Sequence, residues 1–291
     1  MISAIGTSAY QATFESAGPF TNNAGGTGLI AAQNATVEFD SGLTNQSAVA
    51  FSNGVNNVFG TVANTPSGNI TITGGASTTF YGDVAQNGTL VVSAAGNIQS
   101  SVVFLGALTG SGGFTGGGDV FIEGDLRPSD PVEVTFGGNA YLSGSSNTVM
   151  QLAGPLAGSQ YDQIKVTGQL VLAGDLNVEL LDGFQPQAGQ SFQLFDGGLS
   201  GAFAYVFLPA LSNGLSWNTS NVDTTGTITV TPEPSTRALF VAGAIALLGY
   251  GLRRWRSARR TAQGESQDDA PAILSFPSHS CHQGDVARRA A

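Results

Sequence analysis

Over residues 16–230 the chain alternates polar and apolar side chains in short runs that glycine and asparagine interrupt. Two examples are 35–40 (ATVEFD) and 175–180 (DLNVEL). A period of two places successive side chains on opposite faces of a β-strand, and Gly or Asn between the runs favours tight turns. The chain has 41 glycines, and no amphipathic helical pattern occurs before Ala238. We therefore predict that this region is entirely β-structure.

The spacing of the strands favours one β architecture. Apolar clusters recur roughly every twelve to twenty residues, and they are centred near Ile72, Val91, Val103, Val120, Val134 and Val149. A parallel β-helix has a loose repeat of this kind, because each coil buries its inner face only by stacking on its neighbours. We expect a Gly-rich β-solenoid over 1–150, in which Asn and Thr at the turns stack as ladders. A β-sandwich is the alternative that periodicity leaves open.

The segment 151–231 has fewer glycine runs and more large aromatic residues than 1–150. It contains the runs Tyr161-Asp162-Gln163, Gly174-Asp175-Leu176, Gly183-Phe184 and Leu215-Ser216-Trp217. With these residues the segment resembles the C-terminal block of autotransporter-like and PEP-CTERM β-helical proteins. Because the last coil of a solenoid exposes unpaired strand groups, we expect this block to cap the solenoid. Stacking of its aromatic rings on sugars is the alternative.

Residues 232–260 contain three parts in a fixed order. The Pro232-Glu233-Pro234 motif comes first, an uncharged apolar run from Ala238 to Leu252 follows, and a basic cluster comes last. The cluster consists of Arg253, Arg254, Arg256, Arg259 and Arg260. Burial of an apolar run in a bilayer is favourable, and dense arginines stay on the cytoplasmic side. We therefore predict one transmembrane helix, with the preceding chain outside the inner membrane.

This arrangement resembles the PEP-CTERM sorting signal of Gram-negative bacteria. The resemblance implies that a membrane-embedded exosortase cuts near 232–234 and passes the protein on to the cell surface. Pro232 and Pro234 suit that role, because each fixes φ and lacks an N–H, which keeps the segment extended. An ordinary C-terminal anchor after a Pro-rich spacer is the alternative. The polar residues 261–291 show no periodicity, and we predict a disordered tail there.

Charge and composition agree with export. Before Thr231 the chain has two cationic side chains, Arg127 and Lys165, and fifteen carboxylates, a formal net charge of −13. Such a surface repels phosphates, so we expect no nucleic-acid partner. The single cysteine, Cys281, lies in the tail, and disulfides therefore do not enter the fold. Residues 1–10 lack the basic and apolar parts of a signal peptide, which leads us to expect a truncated N-terminus.

Catalytic chemistry leaves little trace. Both histidines lie in the tail, so the region before Thr231 lacks the residue that Ser-His-Asp, Cys-His and His-ligated metal sites require. We therefore predict no enzymatic activity. A carbohydrate-active enzyme is the alternative, and it would use the acidic patch formed by Asp119, Glu123, Asp125, Asp130 and Glu133.

Calcium is a weaker possibility for the same region. Asp119 and Asp125 each follow glycine in runs that resemble the nonapeptide of calcium-binding β-rolls, although the runs are not repeated in tandem. Carboxylate and carbonyl oxygens are the ligands that Ca²⁺ prefers. Asp119 and Asp125 are thus the only metal candidates, and we predict no other cofactor.

The sequence as a whole predicts a surface protein of the Gram-negative cell envelope, exposed on the cell or secreted after processing. Its expected role is structural or adhesive, in an extracellular matrix or biofilm. The expected partners are an exosortase, the membrane and exopolysaccharide.

Overall fold

The computed structural model describes residues 1–25, 28–212, 214–233 and 244–254. Residues Met1–Glu233 form one compact unit. Within it the chain winds through nine coils, and in each of the first seven one strand joins each of three stacks of parallel strands. This confirms the prediction of an all-β chain with a solenoid-like architecture, and it excludes the antiparallel sandwich.

The strands of the first four coils follow one another with short turns. They are β1 (Ile2–Ile5), β2 (Ala12–Ser16), β3 (Phe20–Asn22), β4 (Leu29–Gln33), β5 (Ala35–Phe39), β6 (Leu43–Asn45), β7 (Ala48–Ser52), β8 (Val55–Phe59), β9 (Val62–Asn64), β10 (Asn69–Thr73), β11 (Ser77–Phe80) and β12 (Val84–Gln86). Coils five to seven continue the pattern, with a small antiparallel hairpin, β14–β15, inserted in coil five. Their strands are β13 (Thr89–Val92), β14 (Ala94–Ala95), β15 (Ile98–Gln99), β16 (Ser101–Phe104), β17 (Leu108–Gly110), β18 (Gly113–Thr115), β19 (Asp119–Ile122), β20 (Leu126–Pro128), β21 (Glu133–Phe136), β22 (Ala140–Leu142) and β23 (Asn147–Leu152).

The C-terminal part of the unit contains longer strands. They are β24 (Gln163–Leu172), β25 (Asp175–Leu180), β26 (Ser191–Gln193), β27 (Phe195–Gly201), β28 (Tyr205–Phe207), β29 (Leu215–Asn221) and β30 (Thr227–Pro232), with the short helix α1 (Val222–Thr225) before β30. β24 pairs with both β21 and β22 and thereby joins two of the stacks into one sheet.

Three stacks follow from this pairing, and we name them A, B and C. Stack A runs β1-β4-β7-β10-β13-β18-β21, stack B runs β2-β5-β8-β11-β16-β19-β22, and stack C runs β3-β6-β9-β12-β17-β20-β23-β25-β28. All pairs within the stacks are parallel and in register; for example, Ile70 lies beside Leu90. Apolar residues therefore meet apolar residues of the next coil, and both of these side chains are buried.

Aromatic residues stack inside the solenoid. The ring centroids of Phe80 and Phe104 are 5.3 Å apart, and those of Phe114 and Phe136 are 4.5 Å apart. All four side chains are buried. Each pair spans neighbouring coils, so the contact adds specific ring packing to the area removed from water.

A ladder of buried amides runs up the inside of stack C. Asn22 Nδ2 donates to Asn45 Oδ1, Asn45 Nδ2 donates to Asn64 Oδ1, and Asn64 Nδ2 donates to Gln86 Oε1, each at 2.8 Å. Gln86 Nε2 then donates to the carbonyl oxygen of Gly88 at 3.0 Å. An amide can donate and accept at once, so each member of the ladder bonds to the next within the core. The expected ladder of like side chains is thus present.

The last coils carry an antiparallel sheet of a different kind. β30 lies between β26 and β29, and the buried ring of Phe192 in β26 contacts Tyr161, Phe184 and Trp217. Trp217 Nε1 donates to the carbonyl oxygen of Pro209 at 2.9 Å. Parallel pairing continues through β24, β25, β27 and β28, so the segment 151–231 supplies two coils as well as this sheet. The domain boundary at residue 150 stays a prediction.

Gly226 closes α1 against the final coil. Its φ of 71° lies in the left-handed region, and a Cβ atom there would collide with the carbonyl oxygen of Phe195. Its own carbonyl oxygen accepts from the N–H groups of Leu194 and Phe195 at 2.8 and 3.2 Å. Only glycine combines this conformation with so close an approach.

Residues 244–254 are helical, and the side chains in this stretch are exposed. Among the described residues no helix has the length and apolar character needed to cross a membrane. The predicted apolar segment begins at Ala238, which lies outside the described residues.

The amide ladder gives a first test. Asn45→Ala removes one acceptor and one donor from the middle of the ladder. Asn64 Oδ1 loses its donor in the core, and Asn22 Nδ2 keeps only the carbonyl oxygen of Ala48 as an acceptor. We expect the free energy of unfolding to fall by about 2–4 kcal/mol in urea titrations. The control is Asn57→Ala, because Asn57 lies on the outer side of β8; it should change stability by less than about 0.5 kcal/mol. Equal effects of the two substitutions would contradict the ladder.

Candidate functional site

The predicted sorting motif, Pro232-Glu233-Pro234, begins at the last residue of the final strand. Pro232 ends β30 opposite Leu215 and is exposed, and the N–H of Glu233 donates to the carbonyl oxygen of Gly214 at 2.8 Å. Arg253 and Arg254 are exposed at the end of the helical stretch 244–254. Pro234, Arg256, Arg259 and Arg260 lie outside the described residues.

The acidic patch is distributed around the solenoid. Asp119 begins β19 in stack B, and Glu123 and Asp125 lie in the turn between β19 and β20. Asp130 lies in the turn after β20, and Glu133 begins β21 in stack A. Asp119 Oδ1 accepts from Asn139 Nδ2 at 2.9 Å. The described residues contain no group of three or more His, Cys, Asp or Glu side chains suited to a metal ion. Asp119 and Asp125 therefore stay weak calcium candidates.

An elongated cleft lies on the outer side of stack C. It has a volume of about 320 Å³ and extends from Phe20 in coil one to Thr109 in coil five. Its floor and walls include Thr44, Thr61, Ala63, Asp83, Ala85 and Thr109. Five strands at about 4.8 Å spacing give the cleft a length of about 19 Å along the solenoid.

Outward-facing small residues form this cleft. In β9 and β12 the burial alternates, so that Ala63 and Ala85 point outward while their neighbours are buried. Methyl groups in the middle of the floor leave room above the sheet, whereas larger side chains would fill it. The concave shape is thus a consequence of which residues occupy the outer positions.

The polar groups of the cleft have few partners within the protein. Asp83 Oδ1 accepts from the N–H of Ala107 at 2.8 Å, and this bond fixes the orientation of the carboxylate. No other protein group in the described part of the chain bonds to the Asp83 carboxylate or to the hydroxyls of Thr44, Thr61 and Thr109. These groups are therefore free to bond to water or to a ligand.

A glycine column separates the cleft from aromatic residues on stack B. Gly60 and Gly82 follow Phe59 and Tyr81 at this turn, and a Cβ atom on Gly82 would collide with the carbonyl oxygen of Gly60. Phe59 and Tyr81 stack with ring centroids 4.2 Å apart, and Tyr81 is 43% exposed. The positions directly after Phe59 and Tyr81 are thus glycines, which place no side chain between this aromatic pair and the cleft.

Both cations of the described unit are paired with carboxylates. Arg127 Nη1 lies 3.3 Å from Glu179 Oε2, and Lys165 Nζ lies 2.8 Å from Glu133 Oε2. The carboxylate of Glu133 raises the pKa of the Lys165 ammonium through its hydrogen bond and its charge. Within 1–25, 28–212 and 214–233, no cation remains to balance the other carboxylates, so the surface is anionic.

Asp162 is a buried carboxylate that sequence reasoning did not single out as a functional group. It is fully shielded from solvent, and it accepts from the N–H of Val132 at 3.0 Å and from the N–H of Gln151 at 2.7 Å. Burial raises its pKa to about 6, the two backbone hydrogen bonds oppose this shift, and the charge of Asp130 adds to it. Through these two hydrogen bonds, Asp162 connects Val132, just before β21, to Gln151 in β23.

Sequence reasoning missed the cleft altogether. Outward alanine and threonine are ordinary surface residues of a strand, and nothing in their local pattern distinguishes Ala63 or Ala85. No protein-family model matches the chain, and no curated protein or solved structure matches it. The site is therefore argued from its geometry.

Asp162 predicts a pH dependence of stability. Its pKa in the folded state lies above the value of about 3.9 in an unfolded chain, so the folded protein binds this proton more tightly. The resulting stabilisation is complete below about pH 4 and is lost as the pH rises through about 6. We expect Asp162→Asn to abolish this part of the dependence. The difference in unfolding free energy between wild type and variant should change by roughly 2 kcal/mol between pH 4 and pH 7.

Denaturant titrations at a series of pH values measure this difference directly. In Asp162→Asn the amide NH₂ group faces a backbone N–H, and this destabilises the variant by an amount that does not change with pH. The change of the stability difference with pH therefore reports only the titration of the Asp162 carboxyl. Parallel curves for wild type and Asp162→Asn would show that the carboxyl is not perturbed by burial.

Proposed function

We propose that the protein is an exported cell-surface or extracellular-matrix protein with a structural or adhesive role, associated with exopolysaccharide. The observation that carries the proposal is the order of the Pro232-Glu233-Pro234 motif, the apolar run 238–252 and the arginine cluster. This order resembles a PEP-CTERM sorting signal. Its partner would be an exosortase in the envelope of a Gram-negative bacterium.

The proposed topology assigns a separate task to each part of the C-terminal segment. The apolar run forms a transmembrane helix in the inner membrane, the arginines hold its end on the cytoplasmic side, and residues before Pro232 lie outside. The compact unit ends at Glu233, within the motif. A cut after Glu233 would therefore leave all the strands from β1 to β30 whole, which supports this division of roles.

The surface of the solenoid supports a structural or adhesive role. Nine coils present a long outer surface of short polar side chains, and its formal charge of −13 keeps it soluble and away from nucleic acids. The carboxylates of the acidic patch are divided between the first residues of two strands in different stacks and two turns. An enzyme that uses them has less support than a binding role.

Processing at the motif gives the test of this proposal. In the native host we expect mass spectrometry of the surface form to find a C-terminus close to Pro234. Replacement of Pro232, Glu233 and Pro234 together by alanine should leave residues 235–291 attached and retain the protein in the membrane fraction.

The control replaces Pro271 and Pro277 in the tail by alanine, which should leave processing unchanged. Mature surface protein that still ends at Ala291 would reject processing. Full-length protein that is freely dissolved in the cytoplasm would reject export as well.

A further inference from the structure

We propose that the cleft of stack C binds a neutral polysaccharide chain. This inference rests on the exopolysaccharide association proposed above and names the site and the class of glycan. Its polar contacts are the hydroxyls of Thr44, Thr61 and Thr109 and the carboxylate of Asp83. The size of the cleft suits a ligand, because volumes above about 300 Å³ are typical of small-molecule sites.

The floor of the cleft cannot accept an added peptide strand. Four of its five strands, β6, β9, β12 and β17, are internal, and each is paired with a neighbour on both sides. The fifth strand, β3, has a free edge, but this edge lies at the end of the cleft and not along its floor. Strand addition requires a free sheet edge whose N–H and C=O groups are unpaired. Recognition in the cleft is therefore limited to side chains, which disfavours an extended peptide.

The available side chains match the groups of a sugar. Hydroxyls donate and accept, and a carboxylate accepts, so Thr44, Thr61, Asp83 and Thr109 can bond to a row of sugar hydroxyls. Between them, Ala63 and Ala85 offer methyl groups to the apolar C–H face of a pyranose ring. The cleft runs for about 19 Å along the stack, which is enough for several sugar units in a line.

Charge selects the class of glycan. The ligand would lie beside Asp83 on a surface in which Arg127 and Lys165 are already paired. An anionic polysaccharide would meet carboxylates with no cation to compensate them, so its approach is opposed at low ionic strength. A neutral chain meets no such opposition, and a carboxylate is a strong acceptor for its hydroxyls.

The chain provides a matched pair of blocking variants. Ala85 lies outward in β12 between Ala63 and Thr109, and Ala50 lies outward in β7 between Ala31 and Thr71. Both positions are small, half-buried and on internal strands, but only Ala85 lines the cleft. Ala85→Trp should fill the cleft, whereas Ala50→Trp places the same bulk on stack A.

The test measures binding of the purified full-length protein in detergent to a panel of neutral and anionic glycans. Cellohexaose, laminarihexaose and dextran represent neutral chains, polygalacturonate represents anionic ones, and calorimetry and affinity electrophoresis give the affinities. We expect binding to at least one neutral glycan and none to polygalacturonate at low ionic strength. Ala85→Trp should weaken binding by about tenfold or more, and Ala50→Trp should leave it unchanged.

Asp83→Asn separates the carboxylate from the shape of the cleft. Its amide oxygen can still accept from the N–H of Ala107, so the fold is kept, while the strong acceptor for sugar hydroxyls is lost. We expect the affinity to fall by about threefold to tenfold. Thermal unfolding of all variants shows whether any loss of binding comes from loss of folding.

Each outcome bears on one of the two proposals. Absence of binding to every neutral glycan overturns the cleft proposal, and it leaves processing at Pro234 to be judged by mass spectrometry. Equal weakening by Ala85→Trp and Ala50→Trp, or binding of polygalacturonate alone, also overturns it. Selective loss in Ala85→Trp supports the cleft even if the C-terminal segment turns out not to be a sorting signal.

Discussion

Parallel hydrogen bonding between successive coils is the constraint on which the whole molecule depends. Because side chains alternate along a strand, the register between two coils decides at once which residues are inside and which are outside. Ile70 beside Leu90 is buried, and the next pair, Thr71 beside Val91, faces outward. A slip by one residue would exchange these two pairs and expose the core. The buried aromatic pairs, the amide ladder and the cleft all follow from this single register.

The same register connects structure to the proposed role. Inside stack C it aligns the amides of Asn22, Asn45, Asn64 and Gln86, which hydrogen-bond to one another from coil to coil. Outside stack C it aligns threonines, alanines and Asp83 into a continuous cleft. The lining of the cleft includes one carboxylate, and the polysaccharide binding that we propose for it would be repeated contact with a polymer along the stack. In that proposal the solenoid is the support for such contacts.

The fold class could be predicted because strand alternation and turn residues are local features. The assignment of strands to coils could not be predicted from the spacing of the apolar clusters. Some of these clusters are neighbours within one coil and others belong to successive coils: Val91 lies in stack A and Val103 in stack B of the same coil. The amide ladder was hidden by its uneven sequence separations of 23, 19 and 22 residues. Ala85 could be recognised as part of the cleft only from its pairing with Ala63 and Thr109 in the neighbouring coils. Asp162 was noticed for a family resemblance, whereas its hydrogen bonds come from Val132 and Gln151, which lie 30 and 11 residues away in the sequence. The C-terminal signal stays a prediction from the order of its parts.

The distance across many coils tests the stacking most directly. Thr44 in β6 and Asn177 in β25 occupy the same outward column of stack C, six strand spacings apart. Spin labels are attached to Thr44→Cys and Asn177→Cys in a Cys281→Ser background. Double electron–electron resonance should then give one narrow distribution of the label-to-label distance, centred at about 29 Å, which is about six times the strand spacing. A broad distribution, or a distance near the roughly 10 Å that separates packed sheets, would contradict the stack and the cleft built on it.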